Sequence, residues 1–191
     1  MAILPIRIYG DPVLRQRATE ITREQVDEAL RQFAIDMGET MYANSGIGLA
    51  ANQVGDLRRI FVVDVDQVNN EIRKKGRVKD QARRLLRVYL NPEIIESSDE
   101  DDTYDEGCLS IPELEGPVFR PIRIKVRYQT LEWNIQEEWL SGLHARVFQH
   151  ELDHLDGLMF IDRMAEEARL RLAGALGRIR RRQEDAMQPS N

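Results

Sequence analysis

The stretch His150-Glu151-Leu152-Asp153-His154 constrains this chain more than any other. In a helix, residues four apart differ in direction by about 40°, so His150 and His154 share one face. Two imidazoles on one face can reach a single metal ion, while Glu151 can approach a water held beside it. The chain has three histidines in all, and two of them stand here. The plain alternative is a helix with two solvated histidines.

The helix around them is readable from its neighbours. Gly142 opens it, Leu143, Val147, Leu155 and Phe148 supply an apolar side, and Asp156-Gly157 closes it. His144 lies about 120° around from His150, which makes it an ordinary polar residue and not a third ligand. A metal held by two histidines needs at least one more protein ligand and an open position. In the zinc-peptidase pattern that ligand lies downstream, yet no histidine follows His154, and Glu166 and Glu167 would need a sharp chain reversal. Cys108 is the only cysteine, and a thiolate is a strong soft ligand. A Cys-His-His site with water in the fourth position is chemically economical. Otherwise Cys108 is a buried, inert thiol.

A lone cysteine also excludes an internal disulfide and points to a reducing compartment. The 191 residues suffice for one well-buried domain, and the net charge of −6 argues against wholesale binding of DNA. The first residues lack a signal-peptide apolar core, and no apolar run approaches the roughly 20 residues of a membrane span. A cytoplasmic protein with no membrane partner is expected.

From the start, residues 3–8 are short and apolar and lead into the turn Gly10-Asp11-Pro12. Thr22-Arg23-Glu24-Gln25 has the form of a capping box and predicts a helix from there to about residue 43, burying Val26, Leu30, Phe33, Met37 and Met41. The small-residue stretch Gly46 to Gly55 is neither a dinucleotide fingerprint nor a phosphate loop and reads as a tight structural turn. Residues 59–65 form a buried strand and 88–95 a strand around Pro92, which suits an edge. Between them, 66–87 carries eight Lys/Arg against three Asp/Glu and reads as a charged insertion. The seven acidic residues from Glu96 to Glu106 lack calcium-loop spacing and read as a surface loop. Alternation from 117 to about 140 predicts an antiparallel hairpin turning near Leu131-Glu132. A final amphipathic helix carries Met164, Ala168, Leu172, Leu176 and Ile179 on one face and ends in Arg178 and Arg180 to Arg182; residues 183–191 form a frayed tail. The fold class is α+β, a single domain over 1–191, with antiparallel sheets around the central histidine helix and a helix towards each terminus.

Three motifs in order carry a family resemblance: Gly46-Ile47-Gly48-Leu49-Ala50-Ala51-Asn52-Gln53, then Glu106-Gly107-Cys108-Leu109-Ser110, then Gln149-His150-Glu151-Leu152-Asp153-His154. Together they resemble the peptide deformylase family, over about residues 3–170. The resemblance implies hydrolysis of the N-formyl group from nascent formyl-methionyl peptides, with release of formate. It implies Cys108, His150 and His154 as ligands of a divalent ion, usually Fe²⁺, with Zn²⁺, Ni²⁺ and Co²⁺ as alternatives. It further implies Glu151 as the proton-transfer group, and Gln53 and the Leu109 backbone N–H as donors to the oxyanion. Gly48 would lie along the peptide backbone, Ile47, Leu143 and Val147 would line the methionine pocket, and Glu106 would pair with Arg120. Arg146 stands where some relatives carry an apolar residue, and its role stays open. The arginines of the last helix suggest a contact with the ribosome. A zinc peptidase, or a non-catalytic metal-binding module, is the competing reading; the second needs neither Glu151 nor an oxyanion donor.

Overall fold

The computed structural model describes residues 2–65 and 85–187. Seven strands occur among them: β1 (Gly48–Ala50), β2 (Ile60–Val63), β3 (Arg87–Ser97), β4 (Asp101–Cys108), β5 (Ile111–Pro121), β6 (Arg123–Gln129) and β7 (Ile135–Ser141). Four α-helical segments accompany them: α1 (Glu28–Ala43), α2 (Gly142–Leu155), the single turn α3 (Phe160–Arg163) and α4 (Glu166–Met187). The described strands form a five-stranded antiparallel sheet in the order β1-β2-β3-β6-β7 and a separate β4–β5 ribbon.

The buried run Ile60-Phe61-Val62-Val63 shows why the sheet is covered on both sides. Alternate residues of a strand face opposite ways. Ile60 and Val62 join the cluster of Leu30, Ala34, Met37 and Met41 from α1. Phe61 and Val63 face the other way, with Tyr89, Ala145, Phe148 and Leu155. Phe148 of α2 meets Phe61 edge-on at 5.0 Å and Tyr89 at 5.1 Å between ring centroids. Such pairs add about 0.5–1.5 kcal/mol each beyond the area they bury. The histidine helix is thus seated on the sheet by its apolar side, with its polar side turned towards the β4–β5 ribbon. A third cluster, with Leu14, Ile111, Val118 and Leu176, packs α4 and the N-terminal segment against the ribbon.

Several expectations need correction. The capping box at Thr22 closes only a 3-10 turn, Arg23–Gln25; Asp27 is the true N-cap, its carboxylate accepting from Leu30 N at 2.8 Å. The glycine-rich stretch is the edge strand β1 followed by a 3-10 turn, Ala51–Val54, not a tight turn alone. The 88–95 strand lies in the middle of its sheet. Pro92 is tolerated because the register shifts between Leu90 and Glu93, and Asn91 takes φ 47° there. The acidic run is not a loop, since Asp101–Cys108 is strand β4, paired along its length with β5. The 117–140 alternation spans two sheets: β5 belongs to the ribbon, and only β6 and β7 form the hairpin that turns at 130–134. Helix α4 continues to Met187, past the expected fraying point. Residues 66–84 of the charged insertion, and 188–191, lie outside the described residues. Among the described residues no helix is long and apolar enough to cross a membrane.

Candidate active site

Helix α2 ends as its sequence suggests. Gly157 takes φ 76°, Leu158 N donates to Asp153 O at 2.8 Å, and Gly157 N donates to His154 O at 2.9 Å. This paired closure caps the carbonyls of the last turn and holds His154 rigidly at the helix end. His150 and His154 lie on one face, with ring centroids 5.0 Å apart.

Cys108 comes to them from the last residue of β4. Its Sγ lies 3.1 Å from His154 Nε2, and one donor atom from each of Cys108, His150 and His154 lies within 4.8 Å of the others. Ligands bound tetrahedrally to one ion at roughly 2.0–2.3 Å stand about 3.5 Å apart, so the three atoms suit a common ion. Glu166 and Glu167, the downstream carboxylates, are exposed at the start of α4 and do not join them.

The surroundings also suit an ion. His150 Nδ1 lies 2.9 Å from Glu106 Oε2, so with Nδ1 protonated its Nε2 is left as the ligand atom. Glu106 in turn takes Arg120 Nε on Oε1 at 2.7 Å and Arg120 Nη2 on Oε2 at 2.9 Å. Burial pushes this carboxyl up, but the hydrogen bonds from His150 and Arg120 outweigh it and hold Glu106 well below the usual range. Burial likewise raises the Cys108 thiol, and the adjacent imidazoles of His154 and His150 reverse that and favour the thiolate. Arg120 Nη1 reaches on to Asp153 at 2.8 Å, and Arg163 binds the same carboxylate. Asn52, wholly buried, donates from its side chain to His154 O.

Glu151 borders a cleft of about 710 Å³ that Glu106, Cys108 and His150 also line. It is 4% exposed, and its Oε2 has no hydrogen-bond partner among the described residues. Burial pushes its carboxyl up to about 7, against the pull of His150 and His154; a bound cation would add to that downward pull. Ile47, Gly48, Gln53, Leu109, Leu143 and Val147 line the same cleft. Every expected site residue therefore borders it except His154, which is fully buried behind the wall. Gln53 is fixed at both ends. Its Oε1 accepts from Ala50 N at 2.8 Å, while Nε2 lies 3.4 Å from Cys108 Sγ and 3.3 Å from Ser110 Oγ. His144 instead meets the Tyr89 hydroxyl through Nε2 at 2.8 Å.

The chain was compared with known proteins. A family model described as polypeptide deformylase matches residues 3–170. The chain belongs to that family. It is 46% identical over 167 residues to the peptide deformylase of Thermotoga neapolitana, covering 87% of this chain and 90% of the relative. To that of Zymomonas mobilis it is 40% identical over 186 residues, covering 97% and 99%. A solved peptide deformylase from Plasmodium falciparum superposes with TM-score 0.83 at 33% identity, covering 97% of this chain and 100% of the other. The Thermotoga maritima structure gives TM-score 0.74 at 42% identity, covering 86% and 99%. Membership makes the chain a hydrolase that removes the N-formyl group from nascent peptides, and the peptidase and silent-module readings fall away.

The sequence reading missed Asp153, Arg163 and Asn52 as supports of the histidines and left Arg146 open. An Asp between the two clustered histidines was the one available signal. The arginines that answer it come from β5 and α3, at separations of 33 and 10 residues.

Proposed function

We propose that Cys108, His150 and His154 hold one divalent ion, iron(II) in the native protein, and that Glu151 moves the proton during deformylation. The observation that carries this reading is the meeting of three mixed soft and borderline donors beside a buried carboxylate whose Oε2 has no hydrogen-bond partner among the described residues. When bound, the ion supplies Lewis acidity: it polarises a carbonyl and lowers the pKa of water at its open position towards about 7.

The chain's own groups do the rest. The formyl-methionyl peptide lies extended along the free edge of β1, where Gly48 offers no side chain to keep its backbone away. Ile47, Leu143 and Val147 take the methionine side chain. Glu151 accepts a proton from the attacking water as its oxygen bonds to the formyl carbon. Gln53 Nε2 and the Leu109 N–H donate to the oxygen that gains charge, a contribution of about 3–4 kcal/mol for one such donor. Glu151 then passes the proton to the amine as the C–N bond breaks, which yields formate and a free methionyl N-terminus.

The metal is tested by elemental analysis after anaerobic purification, beside a formate-release assay. An iron form should lose activity on aeration as the ion or its thiolate is oxidised; undiminished activity after prolonged aeration would favour zinc or nickel. The thiolate ligand suits a reducing cytoplasm.

A ribosome contact through Arg178 and Arg180 to Arg182 on α4 belongs to the same reading. Arg180 is half-exposed and makes a 3.5 Å pair with Glu184. Co-sedimentation with ribosomes should weaken steeply as salt is raised; association that ignores salt, or none, counts against it.

A further inference from the structure

The three ligands come from two separate pieces of the fold. Cys108 belongs to the β4–β5 ribbon, and His150 and His154 belong to α2. Whatever sets the spacing of ribbon and helix therefore sets the distance from thiolate to imidazoles. Glu106 and Arg120 both lie on the ribbon, so their mutual pair braces the ribbon internally. Ties that cross to the helix are what fix the site.

Arg146 makes the most extensive of these. It sits on α2 one turn before His150, with its side chain 11% exposed. Nη1 donates to Glu106 Oε1 at 2.8 Å and to Val118 O at 3.1 Å, while Nη2 donates to Asp102 O at 2.8 Å. One guanidinium thus joins the helix to both strands of the ribbon and to the carboxylate between them. His150 holds the other oxygen of that carboxylate, so consecutive turns of one helix grip Glu106 from both sides. Arg146 also borders the cleft, under the Tyr104 ring at 5.7 Å. Both Nη1 hydrogens and one on Nη2 are engaged by three protein acceptors, which commits this end of the fork to the ribbon.

We propose that Arg146 is a positioning residue for the metal centre, locking the cysteine ribbon to the histidine helix through Glu106 and the carbonyls of Val118 and Asp102. The proposal rests on the ligand reading given above. A planar fork suits it, because three acceptors spread over two strands must be met at once. Lysine retains the charge beside Glu106 but cannot span both strand carbonyls.

The test compares metal-loaded Arg146→Met and Arg146→Lys with the unaltered protein. Metal loss to a chelator is followed alongside kcat, KM and thermal unfolding. Arg146→Met should release its metal about 10–100-fold faster, with kcat lowered and KM near normal, and Arg146→Lys should fall between. An unaltered rate of metal loss in Arg146→Met, even with a lower melting temperature, reduces Arg146 to a fold brace and overturns the proposal. A raised KM at normal kcat and normal metal retention makes it a substrate contact and overturns it equally. Should Arg146→Met fail to fold, Arg146→Lys carries the same comparison, with faster metal loss again the expected result. A Cys108→Ala control, expected to lose the ion outright, separates failure of the ligand reading from failure of this one.

Discussion

Glu151→Ala should retain its metal and lose about 10²–10⁴-fold in the rate of formate release from formyl-methionyl peptides, the range for removing a positioned proton-transfer group. Glu151 is not among the three clustered donors, so its loss leaves the ligand set whole. It is 4% exposed, and Oε2 lacks a hydrogen-bond partner among the described residues. A carboxylate held that way is costly to bury, and folding alone gives no reason to keep it. Truncation should therefore leave the melting temperature of the metal-loaded protein unchanged or higher, unlike the usual loss on removing a buried side chain. Metal content, melting and turnover measured on one preparation test all three statements. Near-normal turnover at full metal content would sink the assigned role.

Gly48→Ala should cost on the order of 10²-fold in kcat/KM although the substitution lies on another strand. A methyl group on Gly48 would stand 2.8 Å from Cδ and 2.9 Å from Cγ of Glu151, well inside contact distance. Gly48 does not have positive φ, so alanine meets no backbone strain there, and this collision is enough to displace Glu151. Glu151 must swing aside, and a displacement of about 1 Å in a catalytic group can cost 10²-fold. The overpacking itself should destabilise the fold by roughly 1–3 kcal/mol. The proposed ligands Cys108, His150 and His154 are untouched, so metal content should stay normal. Wild-type kcat/KM in this variant would mean that the Glu151 carboxylate acts from a different position.

The contrast between these two residues follows what a sequence can carry. Glu151 is legible because a neighbouring pair of histidines four apart points to a metal site that a carboxylate could serve. Gly48 is legible only as a small residue; that its missing side chain makes room for Glu151 depends on a contact between β1 and α2. The buried strand β2 and the stripes of α1 and α4 were readable for the same reason as the histidine pair, since periods of 2 and 3.6 are local. The acidic run failed as a loop prediction because low strand propensity was overridden by pairing. Strand β4 is held by β5, and Glu106 at its inner face is neutralised by Arg120. Proline 92 misled in the same way, since a bulge at Asn91 lets it sit in mid-sheet; the Asn91 side chain meets the backbone N–H and carbonyl of Ile21, both at 2.8 Å.

By itself the sequence determined that two imidazoles four apart, with a carboxylate next to the first, stand within about one turn of a helix, because helical geometry follows from that spacing. It offered Cys108 as a third ligand on grounds of chemistry and resemblance. Only the tertiary structure brought that thiol to 3.1 Å from His154 across 46 residues, and set Glu106 behind His150 across 44. Those distances are fixed by the docking of a two-stranded ribbon against α2. That docking depends on buried ion pairs among Arg120, Arg146, Glu106 and Asp153, and no local periodicity in the chain encodes which of these charges meet.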